Sequence, residues 1–138
     1  MFPNPQNYIT QPGTGVPPVF GGAVAALSYA FTYTTTAATV VFTLPAGATI
    51  IGFDLVVNTT FDGSATLSVG ATVVASSATY YMNAASALDT AGPVYSTAWA
   101  TSGKWWTRLD SAEPVTITIG GSPTQGAGVL AVRYVMQQ

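Results

Sequence analysis

From Ala23 onward the apolar residues recur at every second position, not at helical spacing, which restricts the chain to strands with one buried face. Leu27, Tyr29, Phe31 and Tyr33 alternate with Ser28, Ala30, Thr32 and Thr34. Val40, Phe42 and Leu44 continue the pattern until Pro45, Ala46 and Gly47 break it. Ile51, Phe53, Leu55 and Val57 follow, and then the turn-rich run 58–63. Leu67 and Val69 lead into Gly70 and a short apolar stretch through Val73 and Val74. Val115, Ile117 and Ile119 lie between Pro114 and the pair Gly120, Gly121, and a closing strand over 129–136 puts Leu130, Val132, Tyr134 and Met136 on one face. Abundant threonine agrees, because β-branched side chains suit a pleated surface and disfavour helices. About eight short strands at this spacing predict an all-β fold, a sandwich or barrel. The one helical turn the pattern allows is 82–88, where Met82, Ala85 and Leu88 share a side.

The first 22 residues differ. Five of the nine prolines fall there (Pro3, Pro5, Pro12, Pro17, Pro18), with Gly13, Gly15, Gly21 and Gly22. Proline fixes φ and removes a backbone donor, so this stretch sustains neither a helix nor a central strand. Phe2, Tyr8, Ile9, Val16, Val19 and Phe20 are anchors that a solvated tail does not need. The division predicted is an extended arm over 1–22, lying across a neighbouring subunit, and a β-domain over 23–138.

Charge is scarce: three basic residues, five acidic ones and no histidine in 138 residues. A soluble domain normally carries about a quarter of its residues as charged side chains, which keep copies apart. The lack of histidine excludes the common catalytic triads, and the lack of cysteine removes disulfides and thiolate sites. The expectation is a chain that is not an enzyme and takes no cofactor or metal. Asp54, Asp62, Asp89, Asp110 and Glu113 read as structural: Asp62 with Gly63 is a hairpin-type turn, Asp89 ends the helical turn, and Asp110 and Glu113 bracket a turn before a strand. Asp54 alone falls mid-strand, opposite Phe53 and Leu55. A net charge of −2 steers neither nucleic acid nor an anionic membrane. The apolar window 16–31 is broken by Pro17, Pro18, Gly21 and Gly22, short of the ~20 residues of a spanning helix. The opening residues lack the basic and apolar regions of a signal peptide, so synthesis in the host cytoplasm is expected.

The sharpest local feature is Trp105-Trp106, flanked by Lys104 and Arg108. Neighbours on a strand face opposite sides, which leaves one indole for an interface. Trp, Tyr and Arg are the usual anchors of protein contacts. Exposed aromatics also stack on sugars, so a carbohydrate-binding sandwich is the alternative, with Tyr80, Tyr81 and Trp99 as helpers. Arg133 interrupts the closing strand on the face of Val129, Ala131 and Val135. It either pairs with an acid such as Asp54, within the chain or across a subunit boundary, or stands as a solvated guanidinium. The interface candidates are therefore Phe2, Tyr8, Ile9, Phe20, Trp105, Trp106, Arg108 and Arg133.

Four stretches carry a family resemblance. They are 43–50 (TLPAGATI), 58–63 (NTTFDG), 65–70 (ATLSVG) and 126–134 (GAGVLAVRY). Together they resemble small virion β-domains of tailed bacteriophages, head decoration or cement proteins in particular. That resemblance implies an antiparallel β-sandwich of jelly-roll type and a structural role on the outer surface of the phage head. It also implies a homotrimer that binds the major capsid protein lattice, and it brings no catalytic residues. The alternatives within the virion are a tail tube, head-tail connector or fibre component.

Overall fold

The computed structural model describes residues 24–35, 38–86, 88–94 and 108–136. Alternating burial runs through them as the period of two requires. In β1 (Ala25–Thr32) the inward residues Leu27 and Tyr29 are partly buried and Phe31 is fully buried, while Ala26, Ser28, Ala30 and Thr32 face out. The other strands are β2 (Thr39–Leu44), β3 (Ala48–Thr59), β4 (Thr66–Ala71), β5 (Ser77–Ala85), β6 (Gly92–Pro93), β7 (Glu113–Gly120) and β8 (Ala127–Met136). No helix occurs among the described residues, and none is therefore long and apolar enough to cross a membrane.

The strands form two four-stranded antiparallel sheets, ordered β1-β8-β3-β6 and β2-β7-β4-β5. The expected β-sandwich is thus the observed one. Its pairings are nested: first strand with last, second with seventh, third with sixth, fourth with fifth. This is the pattern of one long hairpin rolled over on itself. Between the sheets lies a single apolar core that includes Phe31, Leu44, Ile50, Phe53, Leu55, Leu67, Val69, Tyr81, Ile117, Leu130 and Val132. Phe53 and Tyr81 meet across it with ring centroids 5.1 Å apart, and Phe31 stacks on Phe61 at 6.0 Å.

Rolling places the loops in two groups. One end of the sandwich holds the β2–β3 connection, the 72–76 loop, residues 108–112 and the end of β8. The opposite end holds the turns after β1, β3, β5 and β7.

Several sequence expectations change at β-bulges, which insert one residue and so shift the alternation. The 82–88 helical turn is not formed, because Met82 and Ala85 belong to β5. Val69 pairs with Met82 but Leu67 with Ala85, so three steps on β5 match two on β4. The bulge turns both Met82 (0 % exposed) and Ala85 (1 %) inward, mimicking a helical i, i+3 spacing. Ala84 takes φ 52° there, and its freed N–H donates to the buried Ser68 Oγ at 3.0 Å. A bulge between Val40 and Phe42 leaves Val40 exposed and buries Val41 in its place. Another between Ile50 and Gly52 buries Ile50 instead of Ile51. Met136 pairs opposite the buried Ala48, yet at the sandwich's end it stays exposed. Asp62-Gly63 does turn, but it carries the chain from one sheet to the other and closes no hairpin.

Candidate interface surfaces

Six of the interface candidates, Phe2, Tyr8, Ile9, Phe20, Trp105 and Trp106, lie outside the described residues. The division into an arm and a β-domain falls there too, one residue before the described chain begins. The remaining two, Arg108 and Arg133, are described and stand apart on the first sheet.

Arg133 lies on the outer face of the β1-β8-β3-β6 sheet. Its Nε donates to Asp54 Oδ2 at 2.9 Å, a diagonal cross-strand pair within the chain. The guanidinium lies over Gly52, in space that a Cβ there would otherwise enter. Both side chains remain about half exposed, so the pair contributes at most ~1 kcal/mol. Its larger effect is to neutralise the face. Around it lie Ala26, Ala30, Val56, Val129, Ala131 and Pro93, so that the row Ala30–Val129–Val56–Pro93 crosses all four strands without a polar side chain. The other sheet is different: the positions that alternate with its core residues carry Thr66, Ser68, Thr116 and Thr118, of which Ser68 and Thr116 are themselves buried.

Arg108 extends the first sheet. It bridges antiparallel to Thr49, while Leu109 N–H donates to Ala48 O at 2.8 Å and Leu109 O accepts from Gly47 N–H at 2.7 Å. The side chain reaches Asp110 at 3.5 Å, with both groups well exposed, which is worth little.

Glu113 is the functional group that the sequence concealed. It reads as a turn residue, but it opens β7 opposite Leu44 on the inward face and is 0 % exposed. No cation meets it among the described residues. Instead its carboxylate accepts from three successive backbone amides: Thr72 at 2.7 Å, Val73 at 3.0 and 3.2 Å, and Val74 at 2.7 Å. Three N–H groups converging on one anion form a nest that replaces its lost hydration. Thr72 Oγ1 adds a bond to Pro114 O at 3.0 Å. The consequence is a rigid loop that holds Val73 (55 % exposed) and Val74 (46 %) out in solvent. Val24 and Met136 are exposed at the same end. The only sequence signal was the coincidence of an apolar pair in a loop with a lone acid beginning a strand. The same carboxylate, after burial itself, pushes the Tyr81 hydroxyl pKa up.

The opposite end is polar. Asp62 accepts from Thr124 N–H at 2.6 Å, Thr124 Oγ1 at 2.6 Å and Gln125 N–H at 3.2 Å. The Thr124 hydroxyl, first, and its amide hold the Asp62 carboxyl below the usual value of 3.8. Gly63 approaches the second loop so closely that a Cβ would lie 2.3 Å from Ser122 O. A shallow cleft opens beside this latch, between Asp62 and Asp89. Of its two acids, Asp62 is the one held by Thr124 and Gln125. Among the described residues no three His, Cys, Asp or Glu side chains gather where a metal ion could be held.

No family model and no curated protein matches the sequence. Solved structures do. The chain is similar to one in the capsid asymmetric unit of cyanophage Pam1, with a TM-score of 0.62 and 26 % identity, covering 93 % of this chain and 95 % of that one. A chain in the capsid of Ralstonia phage GP4 gives 0.61 at 20 % identity, covering 92 % of each. A chain in the acid-stable capsid of Helicobacter pylori bacteriophage KHP30 gives 0.57 at 17 % identity, covering 85 % of this chain and 90 % of that one. The neighbours are thus phage capsid structures, and the second and third speak for the fold alone.

Proposed function

We propose that this chain is a structural subunit of a bacteriophage head, of the cement or decoration type, that binds the major capsid protein lattice from outside and stabilises it. The observation that carries the reading is the end-to-end likeness to the Pam1 capsid chain. Each of the three matched chains is covered to 90 % or more, so the likeness is to a whole small polypeptide and not to a domain of a larger shell subunit. The nested strand order supports the jelly-roll form of the sandwich, an arrangement of eight strands found in capsid and lectin domains. The neutral outer face of the first sheet and the exposed valines of the Glu113 loop suit a subunit that works by burying surface. Contacts without net charge are also insensitive to salt. The homotrimer and the arm over 1–22 belong to this proposal through the family resemblance. Copies on a lattice multiply a modest individual contact.

The test is add-back to heads that lack the protein. The full chain restores their resistance to heat or osmotic shock and appears on the outside of the shell by electron microscopy. Removing residues 1–22 leaves the far-ultraviolet spectrum of the β-domain intact and lowers occupancy on the heads. Occupancy unchanged by the deletion would sink the arm, and failure of the full chain to bind heads would sink the cement reading.

A further inference from the structure

Among the described residues two open sheets leave four strand edges, and an unprotected edge is a template for pairing with another chain. Three of the four are blunted. The edge strand β6 is two residues long and one of them is Pro93. β2 is broken by the bulge at Val41, and β5 by two register shifts. β1 has none of these devices. It runs for eight residues, pairs with β8 in eight consecutive positions without a shift, and contains no charge, proline or glycine.

The phase of its hydrogen bonds is fixed by Tyr33, whose N–H donates to Gly126 O at 3.0 Å next to the Thr32↔Ala127 pair. Antiparallel ladders alternate, so the odd-numbered residues of β1 bond to β8 and the even ones turn their N–H and C=O groups outward. Ala26, Ser28 and Ala30 therefore offer a row of backbone donors and acceptors at the open edge, while Thr32 turns its N–H outward and its C=O accepts from Thr35 N–H at 3.0 Å. On the inner side Leu27 and Tyr29 are only half-buried, whereas their partners Val132 and Leu130 on β8 are 0 % exposed. Among the described residues no strand lies on the far side of β1.

We propose that the β1 edge binds a second copy of the same edge, antiparallel, about a two-fold axis through Ser28. In this register Ser28 faces Ser28 and Ala26 faces Ala30, all even residues with outward backbone groups, so the ladder continues across the boundary. Leu27 then faces Tyr29 of the other copy, and each covers the half-buried side chain opposite. Centring on Tyr29 instead would set Leu27 against the already buried Phe31 and leave that cover unmade. The side chains that meet are small and uncharged, so no like charges oppose. Such an isologous contact joins two four-stranded sheets into one of eight. It goes beyond the cement reading and stands without it, as a property of the purified chain. It is also compatible with a three-fold contact elsewhere, since it would then link adjacent trimers.

The experiment compares the full chain with Ser28→Lys and Ser28→Asp by sedimentation. The unsubstituted chain is expected to form an assembly with an even number of subunits. Each substitution opposes like charges at the axis and halves the mass, and an equal mixture of the two variants restores it. An odd number of subunits, a mass unchanged by both substitutions, or a mixture that stays dissociated overturns the contact. A second pair of variants fixes the register, because the chain has no cysteine of its own. Ser28→Cys brings two thiols onto a directly opposed pair, about 5.5 Å apart at Cα, and is expected to form an intermolecular disulfide on mild oxidation. Ala26→Cys faces Ala30 and is expected to cross-link many-fold more slowly. Equal rates overturn the Ser28 axis.

Discussion

The two ends of the sandwich use the same chemistry under opposite conditions. At each, one carboxylate gathers the backbone amides of a loop distant in sequence: Glu113 holds Thr72, Val73 and Val74, and Asp62 holds Thr124 and Gln125. Glu113 does so in full burial and so presents an apolar tip; Asp62 does so in water and binds two polar loops together. A buried anion has no alternative partners, so its amides and it must stay together. An exposed one exchanges its bonds with water at little cost. Rigidity at the apolar end therefore rests mainly on one side chain, while at the polar end it is shared with the close approach of Gly63 to Ser122 and of Gly126 to the Phe61 ring.

Removing each support in turn tests that contrast. Glu113→Ala is expected to have the largest effect, a loss of about 3 kcal/mol in unfolding free energy, read as a lower urea midpoint. It also frees the amides of 72–74 to exchange hydrogen faster. Gly126→Ala comes next. Its φ of 136° disfavours a side chain, and the new Cβ would lie 2.3 Å from the Phe61 ring, so the core must shift. A cost of about 2 kcal/mol is expected, with a lower thermal midpoint. If it exceeds the Glu113 effect, the ranking of the two ends is reversed.

Asp62→Asn is expected to be the mildest. The folded pKa of Asp62 is depressed, so its contribution is complete above the ordinary value of 3.8 and disappears as pH falls through the lower folded value. The variant's midpoint should therefore lie slightly below that of the unsubstituted chain at neutral pH and converge with it in acid. A gap that persists at low pH would show that Asp62 acts by shape and not by charge.

These differences also explain what could be read from the sequence. Period two correctly assigned the inward residues of β1, the Phe53-Leu55-Val57 face, β7 and Leu130 with Val132, because their ladders are regular. It also placed Asp54 opposite Phe53 and Leu55, and of the readings left open for Arg133 the pair with Asp54 within the chain is the one formed. It failed at Val40, Ile51 and 82–88, each at a bulge, where an extra residue reverses the faces and no local composition announces it. Glu113 was misread for another reason. A carboxylate ahead of Pro114 has the same local look whether it meets water or a nest, and its partners lie 39–41 residues away. Asp62-Gly63 gave a true turn but not its destination, since the same two residues can close a hairpin or cross between sheets. Long-range partnership, not local conformation, is what one sequence withholds.

The nested pairing sets a constraint in time as well as in space. β7 and β8 each occupy a central place, between β2 and β4 in one sheet and between β1 and β3 in the other. On a ribosome the first six strands emerge with gaps at the middle of both sheets, and most of their partners do not yet exist. Neither sheet is completed until those last two strands slide in. Such non-local closure is slow and leaves apolar edges open meanwhile. The near absence of charge, harmless in the finished subunit, makes that interval the most aggregation-prone stage in the life of this chain.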